Sequence, residues 1–300
     1  MSVIVEMDQH AKVIRHKICR TVIRSNHRLT YQQAQTLLEE AKGGELSEAL
    51  QTLNRLAKQL RTKRFEHGAI NFETPDVRFH LNEEGYPTDI IFAHSTDANH
   101  LIEEFMLLAN RIIAKEIGGN EAKGERPFVY RVHDVPDPEK LVKLGNFIRQ
   151  FGFHLRTSTK RSVQNKHINS LLDSCQGTNS QMLIETLTIR AMAKAVYSTS
   201  NIGHYGLAFP YYTHFTSPIR RYPDMMVHRL VARYLLQSKS PCRHDKEVLE
   251  EACVHCSDTE QMAQSAERDS IKEMQAKWMS NRIGEEFDGV ISGVTEFGLF

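Results

Sequence analysis

Apolar positions along this chain fall into segments with different spacings, and each spacing predicts its own element. Residues 3–7 and 12–23 are rich in β-formers on either side of a polar turn, the pattern of a hairpin. Thr30 and Gln33 then stand at the spacing of a capping box and open a helix that Gly43 and Gly44 break. A second helix begins near Glu45. Leu46, Leu50, Leu53, Leu56 and Leu60 line one face, and Arg55, Lys58, Arg61, Lys63 and Arg64 line the other. Residues 69–73, 77–81 and 88–92 read as strands, with a turn at 82–85. Thr96 opens a strong helix to about Ile117, closed by Gly118 and Gly119. Its stripe of Leu101, Phe105, Leu108 and Ile112 is widened by Ile102, Met106, Ala109 and Ile113 past half the circumference, so it is largely buried. Glu103 and Asn110 occupy the narrow polar sector that remains.

Farther along, residues 128–133 form a strand with Val129, Arg131 and His133 on one face. Asp137 and Pro138 are the cap and first position of a helix whose core stripe is Leu141, Leu144, Ile148 and Phe151. Helices are expected at 167–175 and 179–198, then a Gly- and aromatic-rich segment at 203–216. A helix follows from Ser217, kinked or restarted at Pro223 and running to about 237, and another covers 246–281. The last stretch, 287–300, is strand-like, as is the start. Both ends lie inside such runs, so the chain is expected to be an internal piece of a longer protein.

Composition narrows the classes. With 40% hydrophobic and 25% charged residues, the 300-residue chain is neither disordered nor collagen-like. No apolar run approaches the roughly 20 residues of a membrane span. Five cysteines are an odd number in a long chain. They argue against a disulfide framework and for a reducing, cytoplasmic setting. The net charge of +1 neither favours nor excludes nucleic acid. A local basic channel would not show in the total, and residues 140–166 hold seven basic side chains and no acidic one.

Four features carry candidate chemistry. The sharpest is the segment 212–224, in which Ser217 and Pro218 suit a helix start and would put Arg220 and Arg221 in the first turn. Cations there oppose the helix dipole unless an anion sits among them, and guanidinium forks beside free N–H groups make a phosphate site. The other reading, equally open, is that both arginines pair with carboxylates of the fold. Tyr31, Phe72, Tyr205, Tyr212 and Phe215 could stack the bases of a single strand, although aromatics are more often core. Glu103 and Glu104 on a buried helix need a partner, either a ligand donor or a structural arginine such as Arg131 or Arg190. Cys253 and Cys256 share a helix face and are structural rather than a zinc module. His228, just past the arginines, is read as a satisfied structural histidine.

The run YTHFTSPIRRYPDMMVHR at 212–229 closely resembles the signature of the RNB domain of the ribonuclease R and ribonuclease II family. HRLTY at 27–31, GAINFE at 68–73, IEEFMLLAN at 102–110, YRVHD at 130–134 and NIGHYGLA at 201–208 support it. The terminal FDGVISGVTEFGLF resembles the opening of an S1-type OB-fold. The resemblance implies an α+β fold, a strongly curved sheet wrapped by helices. An RNB portion would fill residues 1–284, and the start of an S1 barrel 285–300. It implies processive 3′–5′ hydrolysis of single-stranded RNA to nucleoside 5′-monophosphates with Mg²⁺ as cofactor, by a cytoplasmic monomer that uses neither DNA nor a membrane. By the same resemblance Arg220 is the catalytic residue that stabilises charge at the scissile phosphate. Phe72 packs beneath the terminal nucleotides, Glu103 contacts the 3′-terminal nucleotide and Tyr31 lines the channel, with Arg221, Tyr212 and Phe215 as the other RNA-binding candidates. The family's aspartate cluster of D-x(5)-D-x-D-D type is absent from this sequence, so no metal ligand is assigned. The chain by itself is expected to be inactive. The alternative is a non-catalytic RNA-binding protein that keeps the channel.

Overall fold

Asp8 organises the first turn. Its Oδ1 accepts the backbone N–H groups of His10 and Lys12, each at 2.9 Å, which is how an Asp side chain closes a loop in place of backbone. Ala11 completes the turn at φ 53°. The turn joins β1 (Ser2–Met7) to β2 (Val13–Cys19), paired antiparallel from Ser2↔Cys19 to Glu6↔Arg15, with a bulge between Glu6 and Met7. The strand stops at Cys19, short of the expected residue 23. In the computed structural model the described residues are 1–40, 43–71, 76–119, 126–156, 158, 161–236, 243–287, 289, 294–295 and 298–299.

The capping box at the head of α1 (Tyr31–Glu40) is reciprocal. Thr30 N–H donates to Gln33 Oε1 at 2.8 Å, and Gln33 N–H donates to Thr30 Oγ1 at 3.2 Å. Gly44, at φ 94°, turns the chain into α2 (Glu45–Glu66). The hairpin of β3 (Asp76–Leu81) and β4 (Pro87–Ala93) closes on Asn82, whose Oδ1 accepts from Glu84 and Tyr86 N–H. A Thr96–Asn99 capping box starts α3 (Asp97–Ile113), which continues as a π-helical turn over Ala114–Gly118. Both α1 and α2 pack on α3.

Two short strands, β5 (Tyr130–Val132) and β6 (Val196–Ser198), pair antiparallel. Between them lie α4 (Pro138–Ile148), α5 (Arg161–Cys175) and α6 (Gln181–Ala191). Asp137 caps α4 by accepting Glu139 N–H at 2.9 Å. The helix expected over 179–198 thus ends at Ala191. Val196 and Tyr197 are β-formers whose partner strand lies far back in the chain, and window-by-window spacing does not see that. Then come α7 (Tyr222–Val231), a second π-helical turn over Ala232–Leu236, and α8 (Arg243–Ser280).

The chain divides into two compact units. One comprises Met1–Ala69, Ser95–Asp134 and Ala195–Ser257, and the other Ile70–His94, Val135–Lys194 and Asp258–Phe300. The core of the first gathers Ile113, Ile117, Phe128, Val129, Val132, Tyr197, Val227, Val231 and Tyr234. The second buries Leu141, Leu144 and Ile148 of α4, with Ile168 and Leu171 of α5 and Ile184 of α6.

The mixture of helices and strands is as expected, but the single curved sheet is not. Among the described residues the strands form four separate two-stranded antiparallel ladders. The last is β7 (Val294–Thr295) with β8 (Gly298–Leu299), and no closed S1 barrel is present among them. Local strand propensity identifies extended segments but not which segments hydrogen-bond together, and sheet shape depends on that pairing.

Candidate nucleic-acid interface

All the contacts of the site lie in the first unit. On α3, Glu104 is 3% exposed and Glu103 is half-exposed on the side-chain scale. Their partner is neither Arg131 nor Arg190 but Arg64 of α2. Arg64 Nε reaches Glu104 Oε1 at 3.1 Å, and its Nη2 bonds both Glu104 Oε1 and, at 3.1 Å, Glu103 Oε1. By spacing Arg64 falls on the polar face of α2, yet it is 7% exposed. The cation is buried because the carboxylates of α3 receive it, so the α2–α3 contact is an ionic one inside an apolar interface. Burial raises the Glu104 pKa and Arg64 counteracts that rise. Glu103 also faces Arg61, at 3.8 Å, and its exposure leaves lone pairs for a ligand hydroxyl.

The arginine pair is placed differently from expectation. The helix starts at Tyr222, not Ser217, with Pro223 in its first turn, where a missing N–H costs nothing. Residues 217–221 form a turn before it, in which Arg220 N–H and Arg221 N–H donate to Ser217 O at 3.3 and 3.1 Å. Asp224, fully buried, accepts from Ser217 N–H at 2.7 Å and from Arg221 Nη2 at 2.8 Å through one oxygen. Arg221 is therefore an internally paired arginine. Arg220 is exposed, and among the described residues no hydrogen bond or ion pair engages its guanidinium. The two readings of the pair thus divide, one to each residue.

Tyr212 and Phe215 are interior residues, at 5% and 4% exposure. Rings of His204, Phe209 and His214 surround Tyr212 at centroid distances of 5.2, 5.8 and 5.6 Å. His228 stacks on Phe215 at 4.2 Å and donates from Nε2 to Phe215 O at 2.9 Å. Neither ring offers a free face to a base, which corrects their assignment as stacking platforms. Tyr205, 3% exposed, is core as well. The polar sector of α3 has a use here that spacing did not disclose. Asn110 donates to Tyr212 Oη at 3.3 Å and accepts Phe215 N–H at 3.0 Å, hanging the 212–215 segment on α3. Tyr31 stands 54% exposed at the start of α1 and is free to meet a ligand. Phe72 lies outside the described residues. Among the described residues no hydrogen bond, ion pair or ring contact joins Tyr31, Glu103 and Arg220 to one another.

The electrostatics are locally positive in a nearly neutral chain. His214 is pushed down to about 2 by burial first, then by the charges of Arg221, Arg131 and Arg220. His204 falls to about 3 by burial and by His133 and Arg131. Both are neutral imidazoles, and Tyr197 Oη bonds His214 Nδ1 at 2.8 Å.

An RNB-domain family model matches residues 1–237. The chain belongs to the RNB-domain family. It is 38% identical to ribonuclease R of Aquifex aeolicus over 298 residues, covering 98% of this chain and 41% of that one. Ribonuclease R of Mycoplasma genitalium, solved in complex with ribose-methylated single-stranded RNA, superposes with a TM-score of 0.88 at 26% identity. The match covers 99% of this chain and 47% of that one. Yeast Ssd1, described as a pseudonuclease, shares the fold at a TM-score of 0.62 and 21% identity, over 85% of this chain and 31% of its own. The chain thus spans less than half the length of each of these relatives. RNB ribonucleases generally depend on a divalent metal. Among the described residues, however, no group of three or more His, Cys, Asp or Glu side chains is gathered that could hold one. The described residues therefore do not fit Mg²⁺. Cys253 is fully buried, with its thiol pushed up to about 12 by burial first. Among the described residues no helix is long and apolar enough to cross a membrane.

Proposed function

We propose that this chain supplies the Arg220-bearing, RNA-gripping portion of a 3′–5′ exoribonuclease that hydrolyses single-stranded RNA to nucleoside 5′-monophosphates, and that alone it binds RNA without cutting it. One observation carries the reading: Arg220 is an exposed cation with no partner among the described residues, on a turn whose other arginine is neutralised. Its exposed guanidinium can clamp a phosphate by charge-assisted bonds. Glu103 would take a ribose hydroxyl, and exposed Tyr31 would line the path. The similarity to ribonuclease R supports the substrate class. In the same proposal residues 1–284 form the RNB portion, 285–300 begin an S1-type module, and the protein acts as a cytoplasmic monomer with Mg²⁺ supplied through ligands outside this chain.

The test is fluorescence anisotropy with a labelled single-stranded RNA. Affinity should fall linearly with log salt, and Arg220→Ala should weaken binding by about tenfold, the worth of one charged hydrogen bond. The salt slope should drop by about 0.7 with the lost phosphate contact. Equal affinity of R220A and the unaltered chain would remove Arg220 from the interface. Progressive shortening of the RNA by the chain with Mg²⁺ would overturn the statement that it does not cut. Because no group of three or more His, Cys, Asp or Glu side chains is gathered among the described residues, a second reading is a non-catalytic RNA binder. If adding an RNB segment that carries D-x(5)-D-x-D-D restored no cleavage, that reading would stand instead.

A further inference from the structure

The turn that presents Arg220 is held from beneath by a single carboxylate. Asp224 Oδ1 takes Ser217 N–H at 2.7 Å and Arg221 Nη2 at 2.8 Å, so one oxygen tethers the residues on either side of 218–220. Backbone bonds from Arg220 and Arg221 to Ser217 O tighten the same turn. Asp224 has no exposed surface, sits in the first turn of α7 and cannot itself reach a ligand. Between the tethered residues, Ile219 is fully exposed and Arg220 projects to solvent. With Asp224 Oδ2 buried and without a hydrogen bond among the described residues, the buried carboxylate depends on the two donors at Oδ1, which holds this tether more firmly than a solvent-exposed pair.

We propose that Asp224 is a positioning residue. By fixing the 217–221 turn on α7 it sets the direction in which the Arg220 guanidinium meets an RNA phosphate, without touching RNA. The role rests on the reading of Arg220 as a phosphate clamp and adds to it why one arginine of the pair is neutralised: Arg221 is part of the mount.

A double-mutant cycle on RNA affinity tests it, with the whole chain and a single-stranded RNA probe. Asp224→Asn should weaken binding by about as much as Arg220→Ala, about tenfold. In the D224N background R220A should cost less than about twofold more, because contacting residues are not additive. Asp224→Glu keeps the charge but displaces it by a methylene, and should lose affinity likewise. Amide hydrogen exchange supplies a readout independent of RNA. The Ser217 amide should exchange faster in D224N while amides of α7 stay protected. Full affinity in folded D224N or D224E overturns the role, as do additive losses with R220A or an unchanged Ser217 amide. If R220A weakens binding and neither Asp224 variant does, only this role falls. If the unaltered chain binds no RNA, the proposed function falls and this role with it.

Discussion

Acid should destabilise this protein through two histidines that the fold keeps neutral. His214 and His204 have ordinary values of 6.5 and are held at about 2 and about 3. For His214 the causes are burial and the charges of Arg221, Arg131, His204 and Arg220; for His204, burial with His133 and Arg131. The geometry agrees, since His204 Nδ1 accepts Leu207 N–H at 3.3 Å and a proton there would expel that donor. The unfolded chain binds protons at both residues as pH falls through 6.5, and the folded chain does not. Their contribution is therefore fully present above about pH 6.5 and is lost as pH falls toward the folded values. Between pH 7.5 and 5.5 an unfolded histidine goes from about one-tenth to about nine-tenths protonated, which costs about 1.4 kcal/mol per residue and about 3 kcal/mol for the pair. The assay is urea unfolding across that range, comparing the chain with His214→Asn. Other groups titrate too: His228 is lowered and Glu104 raised, but these cancel between the two proteins. The variant should lose about 1.4 kcal/mol less on acidification. The same pH dependence in both proteins would mean that His214 titrates alike folded and unfolded, and would refute the reasoning.

Two further outcomes follow from single contacts. Arg64→Met strands Glu104 in an apolar interface and should cost about 3–5 kcal/mol in urea unfolding, a loss that Glu104→Gln in the same chain should largely recover. Gly118→Ala puts a Cβ against Tyr130 Oη and 2.8 Å from Phe128 Cδ1, both in the core, so the thermal midpoint should fall by the equivalent of about 1–3 kcal/mol.

Helix starts and turns were legible because their causes are local. The Thr30–Gln33 box and the Asp137 cap each depend on residues within a few positions of one another, and each stands as the spacing implies; the burial of α3 follows its spacing only in part, since Ile102 is exposed and Asn110 buried. The motif at 212–229 likewise singled out Arg220 and Arg221, but their different fates were invisible. Whether Arg221 pairs with Asp224 depends on where the helix starts, and a proline at 218 and another at 223 each offer a start. Tyr212 and Phe215 were indistinguishable from stacking aromatics until the fold enclosed them.

By itself the amino-acid order marked most helical segments and the two hairpins, though not β6 or the start of α7, and it singled out the arginine-bearing turn as the chemical centre. Tertiary structure alone decided who meets whom: Arg64 with Glu104, Asn110 with Phe215, β5 with β6. Such partners are brought together from distant parts of the chain by burial of apolar faces. Burial is collective, so whether a charge ends up paired, buried or free is a property of the packed whole and of no single stretch.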